Sequence, residues 1–188
     1  MNDINLFDEA VVRFTFELAQ LRQEARHGWQ RIFENPESVA EHTQRAAVLG
    51  YLIAHREGFN DPNLVATMIL FHDMHEARTG DADVIQRKYI KLDEERAASD
   101  QVSGLGKAGE SIIKMWNEVE YANTTAGRIS KDAEILEMAF TARELNVRGN
   151  KETQSWIDGI RTRVQTKSAK ELLEIINKSD PGIWWKKL

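Results

Sequence analysis

Two short motifs, thirty residues apart, carry side chains that could bind one metal ion. Glu41-His42 stands at the start of an apolar-faced stretch, and His72-Asp73 stands near the end of another. If two helices bring these motifs together, they supply the mixture of imidazole and carboxylate ligands that catalytic metal sites use. These residue types therefore predict a metal-dependent hydrolase.

The absence of cysteine restricts which metal sites are possible. With no cysteine in 188 residues, the chain can form neither a disulfide framework nor a thiolate zinc site. Any metal ion would have to be bound by histidine, aspartate, glutamate or water. The length fits one domain with a single apolar core that needs no disulfide or metal to stabilise it.

The segments around these motifs have the character of helices. Leu, Ala, Glu, Lys and Arg dominate stretches in which apolar residues recur at spacings of three and four, and a first helix is predicted over residues 7–26. Ser38 and Glu41 match the reciprocal capping box of a helix N-terminus, which places His42 in the first turn. Ala46 and Ile53 share the face of His42, so its ring is predicted to point into the core.

Two further helices are predicted to present the other candidate ligands. Asp61 followed by Pro62 has the pattern of a helix start, and Gly80 has that of its end. The last turns of this helix contain His72, Asp73 and Glu76. On a long helix from about residue 126 to 146, Asp132 lies on the apolar face, so its carboxylate is predicted to point inward, where a lone charge is costly.

Taken singly, each of these residues has an explanation that involves no metal. A His-Asp pair often arises by chance, and a lone histidine on an apolar helix face is more often a core residue with satisfied hydrogen bonds. The set is harder to explain in this way, because two inward histidines and two inward carboxylates would come from three helices, and Asp132 would lack a partner. One divalent cation would account for all four.

The order of His42, His72-Asp73 and Asp132 in a helical chain resembles that of the HD-domain metal-dependent phosphohydrolases. The local motifs are similar to those of the small HD proteins grouped with the 5′-deoxynucleotidases. These motifs are Arg26-His27-Gly28-Trp29, Asn35-Pro36-Glu37-Ser38-Val39-Ala40-Glu41-His42, Phe71-His72-Asp73 with Glu76, Thr79-Gly80-Asp81, Trp116-Asn117-Glu118 and Lys131-Asp132. The similarity extends from about residue 26 to residue 143.

The resemblance implies a fold and a metal site. The fold would be all-α, a single-domain HD-type helical bundle over residues 1–188 with the metal site between helices and a C-terminal tail at 179–188. His42, His72, Asp73 and Asp132 would bind one divalent metal ion, with water in the open positions. A transition metal such as manganese, cobalt or iron suits this mixed ligand set better than calcium does.

The resemblance also implies catalytic roles for two carboxylates. Glu76 would hold or deprotonate the attacking water, and its position four residues after His72 puts it on the metal-facing edge of the helix. The alternative for Glu76 is a solvent-facing ion pair with Arg78 or Lys88. Asp81 would act near the leaving group or as a second acid or base, and the alternative for Asp81 is an ordinary loop turn.

Candidate substrate contacts follow from the chemistry of phosphate. Arg26 matches the arginine that precedes the family's Gly-Trp motif and is assigned to phosphate or sugar contact, since a guanidinium group binds phosphate in a bidentate manner. Trp29 could flank a base, although a place in the core is favoured. Lys88 or Arg87 could close over the phosphate, with an exposed, solvated charge as the default interpretation.

The favoured function is hydrolysis of (deoxy)nucleoside 5′-monophosphates by direct attack of metal-bound water. No serine, cysteine or P-loop motif indicates another route. One alternative keeps the HD site but acts on a phosphodiester or a nucleoside triphosphate. Another alternative is a non-catalytic helical dimer that binds nucleotide without cleaving it or holds a structural ion.

The expected partner is a small phosphorylated nucleotide. A net charge of -5 with interspersed signs predicts no binding of a nucleic acid polymer. No signal sequence and no membrane-spanning run is recognised, so a cytoplasmic location without membrane association is expected. The resemblance implies a homodimer, and its contact surface could include Trp156, Ile160, Trp184 and Trp185, although any of these could instead be core.

Overall fold

The structure of the protein is a computed structural model that describes residues 5–186 and 188. Residues 1–4, at which no signal sequence is predicted, and Lys187 lie outside the described residues. The described part is all-α, as predicted, and its one β-type pairing is an isolated bridge between Ala25 and Ser38. None of its helices combines the length and the apolar character that crossing a lipid bilayer requires.

Helices follow one another along nearly the whole described chain. The α-helices are α1 Leu6–Leu18, α2 His27–Gln30, α3 Val39–Arg56, α4 Pro62–His72, α5 Glu76–Thr79, α6 Glu94–Gln101, α7 Gly106–Glu120, α8 Thr125–Val147, α9 Gln154–Ile160 and α10 Lys167–Lys178. Short 3-10 turns cover Ala19–Arg22, Gln86–Lys88 and Lys151–Thr153. Helices α3, α4 and α8 pack against one another pairwise, which brings residues from all three to one place.

The N-terminus of α3 has the capping box that the sequence predicts. The backbone N–H of Glu41 donates to the Ser38 hydroxyl at 3.2 Å, and the Glu41 carboxylate accepts from the Ser38 backbone N–H at 2.7 Å. These reciprocal hydrogen bonds satisfy N–H groups that have no partner within the helix. They fix where α3 begins, and His42 in its first turn is completely buried.

A close approach between α3 and α4 holds the two histidine-bearing helices together. Gly50 lies where these helices meet, and a Cβ atom added to it would lie 2.2 Å from the Cδ1 atom of Ile69. A larger residue would force the Ile69 side chain to move, in an interior that is already close-packed. Around this contact Ile53, Val65 and Leu136 are fully buried and form part of the main core.

The segment after α4 differs from the single long helix predicted to run to Gly80. Helix α4 begins as predicted, with the Asp61 carboxylate accepting from the Leu64 N–H, but it ends at His72. A turn follows, and the short α5 then ends at Gly80, whose φ of 74° favours glycine. The Met74 carbonyl in the turn accepts a hydrogen bond from a distant side chain of α6 at 2.8 Å, a contact with no local sequence signal.

The first helix is also shorter than predicted, and this change positions Arg26. Helix α1 ends at Leu18, and after a 3-10 turn the chain becomes extended before α2. The Arg26 N–H donates to the Glu37 carbonyl at 2.9 Å, and the Val39 N–H donates to the Glu24 carbonyl at 2.8 Å. This antiparallel pairing places Arg26 beside the start of α3, a position that a continuous helix would not give.

The aromatic and aliphatic residues considered for a dimer surface divide into two pairs. Ile160 is buried and Trp156 is half-buried and packs against the core, which agrees with the alternative that these two residues belong to the core. Both residues lie in α9 and pack toward the interior. This helix is too short to show a long apolar pattern in the sequence. Trp184 and Trp185, in contrast, are exposed.

Candidate active site

Three of the predicted metal ligands lie together between α3 and the end of α4. The Asp73 Oδ2 atom is 3.0 Å from His72 Nε2 and 3.8 Å from His42 Nε2. One ligand atom from each of the three residues lies within 4.8 Å of the other two. Two histidines and one aspartate, at positions predicted from the two motifs, therefore converge on one point.

The facing atoms of this group have no hydrogen-bond partner, although they are buried. This holds for His42 Nε2, His72 Nε2 and Asp73 Oδ2. The other nitrogen of each ring is held, since His42 Nδ1 lies 2.5 Å from a Glu137 oxygen and His72 Nδ1 lies 2.6 Å from the Ile69 carbonyl. Buried polar atoms without partners are costly. A divalent cation would satisfy all three, and the mixed donor set fits a transition metal.

Opposite charges surround the Asp73 carboxylate. Although burial opposes the shift, His72 and Arg26 hold the pKa of Asp73 well below its usual range. The same pairing raises the pKa of His72 against the effect of its own burial. The carboxylate is therefore present as an anion, which is the form that binds a cation.

Asp132 is not part of this group. Its two carboxylate oxygens accept hydrogen bonds from the backbone N–H groups of Gln165 at 2.8 Å and Thr166 at 2.7 Å. Asp132 is completely buried, as predicted, but it faces the segment that leads into α10. The prediction that Asp132 is a fourth metal ligand does not agree with this placement, because partners distant in sequence already satisfy its charge.

A neighbouring face of α8 points into the site instead. Lys131, Glu134 and Met138 line the cavity at spacings of three and four, as residues on one helix face do. Lys131 Nζ pairs with a Glu134 oxygen at 2.8 Å, and Glu134 raises the pKa of Lys131. The Glu134 charge also raises the pKa of His72. The sequence interpretation missed Glu134, although its spacing from Lys131 was a usable signal.

Another residue of α8, Glu137, contacts the ring nitrogen of His42 that does not face Asp73. Glu137 is completely buried, accepts from His42 Nδ1 at 2.5 Å, and accepts from Arg45 Nε at 2.6 Å. Arg45 also donates to Glu144 at 2.9 Å. Although burial opposes the shift, His42 and Arg45 lower the pKa of Glu137. A carboxylate that accepts from the far nitrogen of a metal-binding histidine fixes the orientation of the ring.

Glu37 completes this network and is its weakest acid. It lies close to Glu137, and together they could be mistaken for a second metal site with His42. Burial and the Glu137 charge raise the pKa of Glu37 to about 7, while the Arg45 guanidinium opposes this effect. Because Arg45 already supplies the positive charge, the arrangement is an ion-pair network rather than a place for a second cation.

Glu76 lies where the sequence predicts a catalytic carboxylate. It is buried, it lines the same cavity as Asp73, and its Oε2 atom has no hydrogen-bond partner. Burial, followed by the charges of Asp73 and Asp81, raises the pKa of Glu76 well above its usual range. A buried carboxyl group with a raised pKa is suited to accept a proton.

Arg26 and Asp81 are brought together although 55 residues separate them. Arg26 Nη1 is 3.2 Å from Asp81 Oδ1 and 3.6 Å from Asp73 Oδ2. The other Asp81 oxygen accepts from the His27 backbone N–H at 2.7 Å, at the start of α2. Although burial opposes the shift, Asp81 and Asp73 raise the pKa of Arg26. A permanently charged guanidinium therefore lies beside the candidate metal group.

Trp29 occupies the core and the cavity wall at once. Its side chain is 1 % exposed, its indole N–H donates to Glu37 at 3.2 Å, and it stacks on Trp156 with ring centroids 4.2 Å apart. The favoured prediction of a core residue agrees with this burial. The same ring lines the cavity, so the two interpretations of Trp29 are not exclusive.

Lys88 does not reach the site, and its neighbour does. Lys88 is exposed and lies outside the cavity lining, whereas Arg87 lines the cavity. Arg87 donates to the Ala82 carbonyl at 2.9 Å and pairs with Glu94 at 2.7 Å. Both residues are in a 3-10 turn, where successive side chains diverge by about 120°. Of the two residues considered for phosphate contact, only Arg87 borders the cavity, and Lys88 agrees with the default interpretation of an exposed charge.

Some of these groups, including Arg26, Asp73, Glu76, Asp81 and Glu134, border one cavity of about 640 Å³, whose lining does not include His42 or His72. Its lining residues are Arg26, Gly28, Trp29, Asp73, His75, Glu76, Asp81, Ala82, Asp83, Val84, Arg87, Glu94, Glu120, Lys131, Glu134, Met138, Trp156, Gly159, Ile160 and Arg163. The volume lies in the range of cavities that hold drug-sized ligands and cofactors.

Comparisons with known proteins agree with this geometry. A family model described as HD domain matches residues 18–176. The 5′-deoxynucleotidase HDDC2 of Xenopus laevis is 30% identical over 142 residues, which cover 72% of this chain and 69% of that protein. The crystal structure of the structural genomics target APC5600 is 31% identical, with a TM-score of 0.78 over 94% of this chain and 99% of that one.

A more distant likeness is one of fold alone. The fold is similar to that of the cyanophage S-2L HD phosphohydrolase DatZ, which was solved bound to dA and one catalytic Zn2+ ion. Its TM-score is 0.59 at 16% identity, and the match covers 88% of this chain and 97% of that one. The same helical arrangement is thus found in proteins with little sequence in common.

Proposed function

The chain belongs to the HD-domain family, and on that basis we propose that it is a metal-dependent phosphohydrolase that releases phosphate from (deoxy)nucleoside 5′-monophosphates. The observation that carries this proposal is the convergence of three unpartnered ligand atoms, from His42, His72 and Asp73, next to the Arg26 guanidinium. The name of the HDDC2 relatives, 5′-deoxynucleotidase, supports the substrate class.

In this proposal the fourth protein ligand is Glu134 rather than Asp132. Glu134 lies on the face of α8 that lines the cavity, close enough to His72 for its charge to act on the ring. His42, His72, Asp73 and Glu134 then form a set of two imidazoles and two carboxylates. Such a set suits manganese, cobalt, iron or zinc, and DatZ is a relative in fold that binds Zn2+.

The residues around this set have distinct tasks in hydrolysis. A bound divalent ion supplies Lewis acidity toward the phosphoryl oxygens and toward water. Glu76 orients the attacking water and takes its proton, for which its raised pKa suits it. Arg26 donates to the phosphate oxygens and neutralises charge that develops on them as the nucleoside leaves. Lys131, which also lines the cavity, contributes a second positive charge.

Asp81 is better suited to positioning than to acid–base chemistry. One of its oxygens accepts from Arg26 and the other from the His27 backbone N–H, so both have partners before any substrate enters. These contacts fix the Arg26 side chain against the start of α2. We therefore assign Asp81 to the orientation of Arg26, and the leaving oxygen takes its proton from Glu76 or from water.

Assembly and location remain part of the proposal. We propose a cytoplasmic homodimer, for which the exposed Trp184 and Trp185 offer apolar contact area. Contiguous exposed apolar residues can mark a protein–protein contact, and these two tryptophans are adjacent. A small nucleotide, rather than a nucleic acid polymer, is the proposed partner.

Phosphate release from a panel of compounds tests the substrate class. Protein purified without chelator and loaded with manganese or cobalt should release phosphate from nucleoside 5′-monophosphates. The panel should also include nucleoside triphosphates and a phosphodiester. Removal of the metal by a chelator should abolish this activity, and addition of the metal should restore it. Turnover of only the triphosphates or the diester would show that the proposed substrate class is wrong.

The variant Glu76→Gln tests the role of the carboxylate. Its turnover should fall about 100-fold or more, since a positioned acid or base contributes on that scale, while its metal content and unfolding temperature stay close to those of the wild type. Glu95→Gln makes the same chemical change at an exposed position of α6 and should have no effect. Full activity in Glu76→Gln would remove Glu76 from the mechanism.

A further inference from the structure

The cavity extends well beyond the candidate metal group. Its lining combines charged residues that include Arg26, Asp73 and Glu134 with Trp156 and Gly159 of α9. A volume of about 640 Å³ suits an organic ligand of nucleotide size rather than inorganic phosphate alone. The α9 part of the lining is therefore available to the group that carries the phosphate.

The α9 wall is apolar and rigidly held. Ile157 and Ile160 are buried in the main core, which anchors the helix. Trp156 stacks nearly parallel on Trp29, at an interplanar angle of 18°. A Cβ atom on Gly28 would lie 3.1 Å from the Trp156 ring, so the glycine allows the ring to pack close to α2. A fixed flat ring of this kind suits the face of an aromatic base.

Gly159 leaves open space in this wall. It lines the cavity, and a Cβ atom built on it would meet no atom within 4 Å. Glycine inside a helix is less stable than alanine, so packing and helix propensity do not explain it here. Its effect is to keep the cavity wide beside Trp156.

The Arg26-His27-Gly28-Trp29 motif connects the charged part of the cavity lining to the α9 part. Arg26 contacts the carboxylates of the charged part, and three residues later Trp29 stacks on the α9 wall. A substrate whose phosphate is bound by Arg26 would place the rest of the molecule along this short helix toward α9.

From this arrangement we infer that α9 forms the nucleobase subsite, with Trp156 as its face and Gly159 as the residue that makes room for the base. The inference rests on the proposed function and adds where the base is bound. The occupant is the aromatic base of a nucleoside 5′-monophosphate, and a sugar phosphate without a base would leave the subsite empty.

The variant Gly159→Leu tests this inference, because its Cβ atom would meet no atom within 4 Å and the substitution lies on α9, away from His42, His72 and Asp73. The KM for nucleoside 5′-monophosphates should rise about tenfold or more, the scale on which a hydrophobic pocket discriminates by shape. The KM for 2-deoxyribose 5-phosphate, which has no base, should change less than about twofold. An equal effect on both substrates would overturn the inference.

Binding of a nucleoside without phosphate provides a readout that does not depend on turnover. In isothermal titration the wild type should bind the nucleoside, and Gly159→Leu should bind it about tenfold more weakly. Asp158→Leu, at an exposed position of α9 outside the cavity lining, is the matched control and should bind like the wild type. No nucleoside binding by the wild type, or equal binding by Gly159→Leu, would contradict the subsite, whether or not phosphate is released.

Discussion

Two carboxylates on α8, only two residues apart, are placed in opposite ways. Asp132 is completely buried and accepts two backbone hydrogen bonds from the segment before α10. Glu134 pairs with Lys131 and borders the cavity near His72 and Asp73. Two residues correspond to about 200° around a helix, so neighbouring carboxylates on α8 face different surroundings.

This difference shows that an inward carboxylate is not by itself evidence for a metal ligand. A buried charge needs compensation, but backbone N–H groups can provide it as well as a cation can. The charge of Asp132 is compensated by backbone N–H groups, and Asp132 thereby stabilises the fold. Glu134 is instead available to a cation. The following variants separate the two roles.

The largest effect is expected from Glu134→Gln. Loss of a ligand charge should lower metal affinity and turnover by more than about 100-fold, because substitutions that only support a ligand already cost 10–100-fold. Metal affinity is measured by competition with a chromophoric chelator, and turnover is measured by phosphate release. If metal affinity and turnover are both unchanged, Glu134 is not a ligand and the comparison with Asp132 fails.

A smaller loss is expected from Glu137→Gln, which keeps the size of the side chain behind His42. The amide can still accept from His42 Nδ1 but lacks the charge, so metal affinity should fall about 10-fold to 100-fold. Glu144→Gln removes a different partner of Arg45, away from His42, and serves as the control. If both variants lose affinity equally, the effect belongs to the Arg45 network as a whole rather than to the orientation of His42.

The smallest effect on catalysis, but a measurable one on stability, is expected from Asp132→Asn. The NH2 group of the asparagine cannot accept a hydrogen bond, so one of the two backbone N–H groups would lose its acceptor. The free energy of unfolding should therefore fall by about 2 kcal/mol. Chemical denaturation measures this change, and turnover per folded molecule should stay within about twofold. Loss of turnover at unchanged stability would return Asp132 to the metal site.

Prediction from sequence was most accurate where a motif and a helix cap occur together. The Ser38 and Glu41 side chains determine where α3 starts, so the position of His42 follows from local hydrogen bonds. His72-Asp73 lies at the end of an apolar helix, and the structure brings all three side chains together. In such a case a short stretch of sequence contains most of the forces that decide the geometry.

Prediction failed where a partner lies far along the chain. The turn after His72 accepts a hydrogen bond from a side chain of α6, and Asp132 accepts hydrogen bonds from backbone groups beyond residue 160. Which of Arg87 and Lys88 lines the cavity depends on the phase of a short 3-10 turn. None of these partners is visible in the local pattern.

The amino-acid sequence determined the helical class, the start of α3 and the identity of the three clustered candidate ligands, because capping and apolar periodicity act over a few residues. The packing of α8 between α3, α4 and α9 determined which of its carboxylates faces the site and which residue forms the α9 wall of the cavity. That choice depends on the rotation of a helix about its axis, and contacts over its whole length fix this rotation.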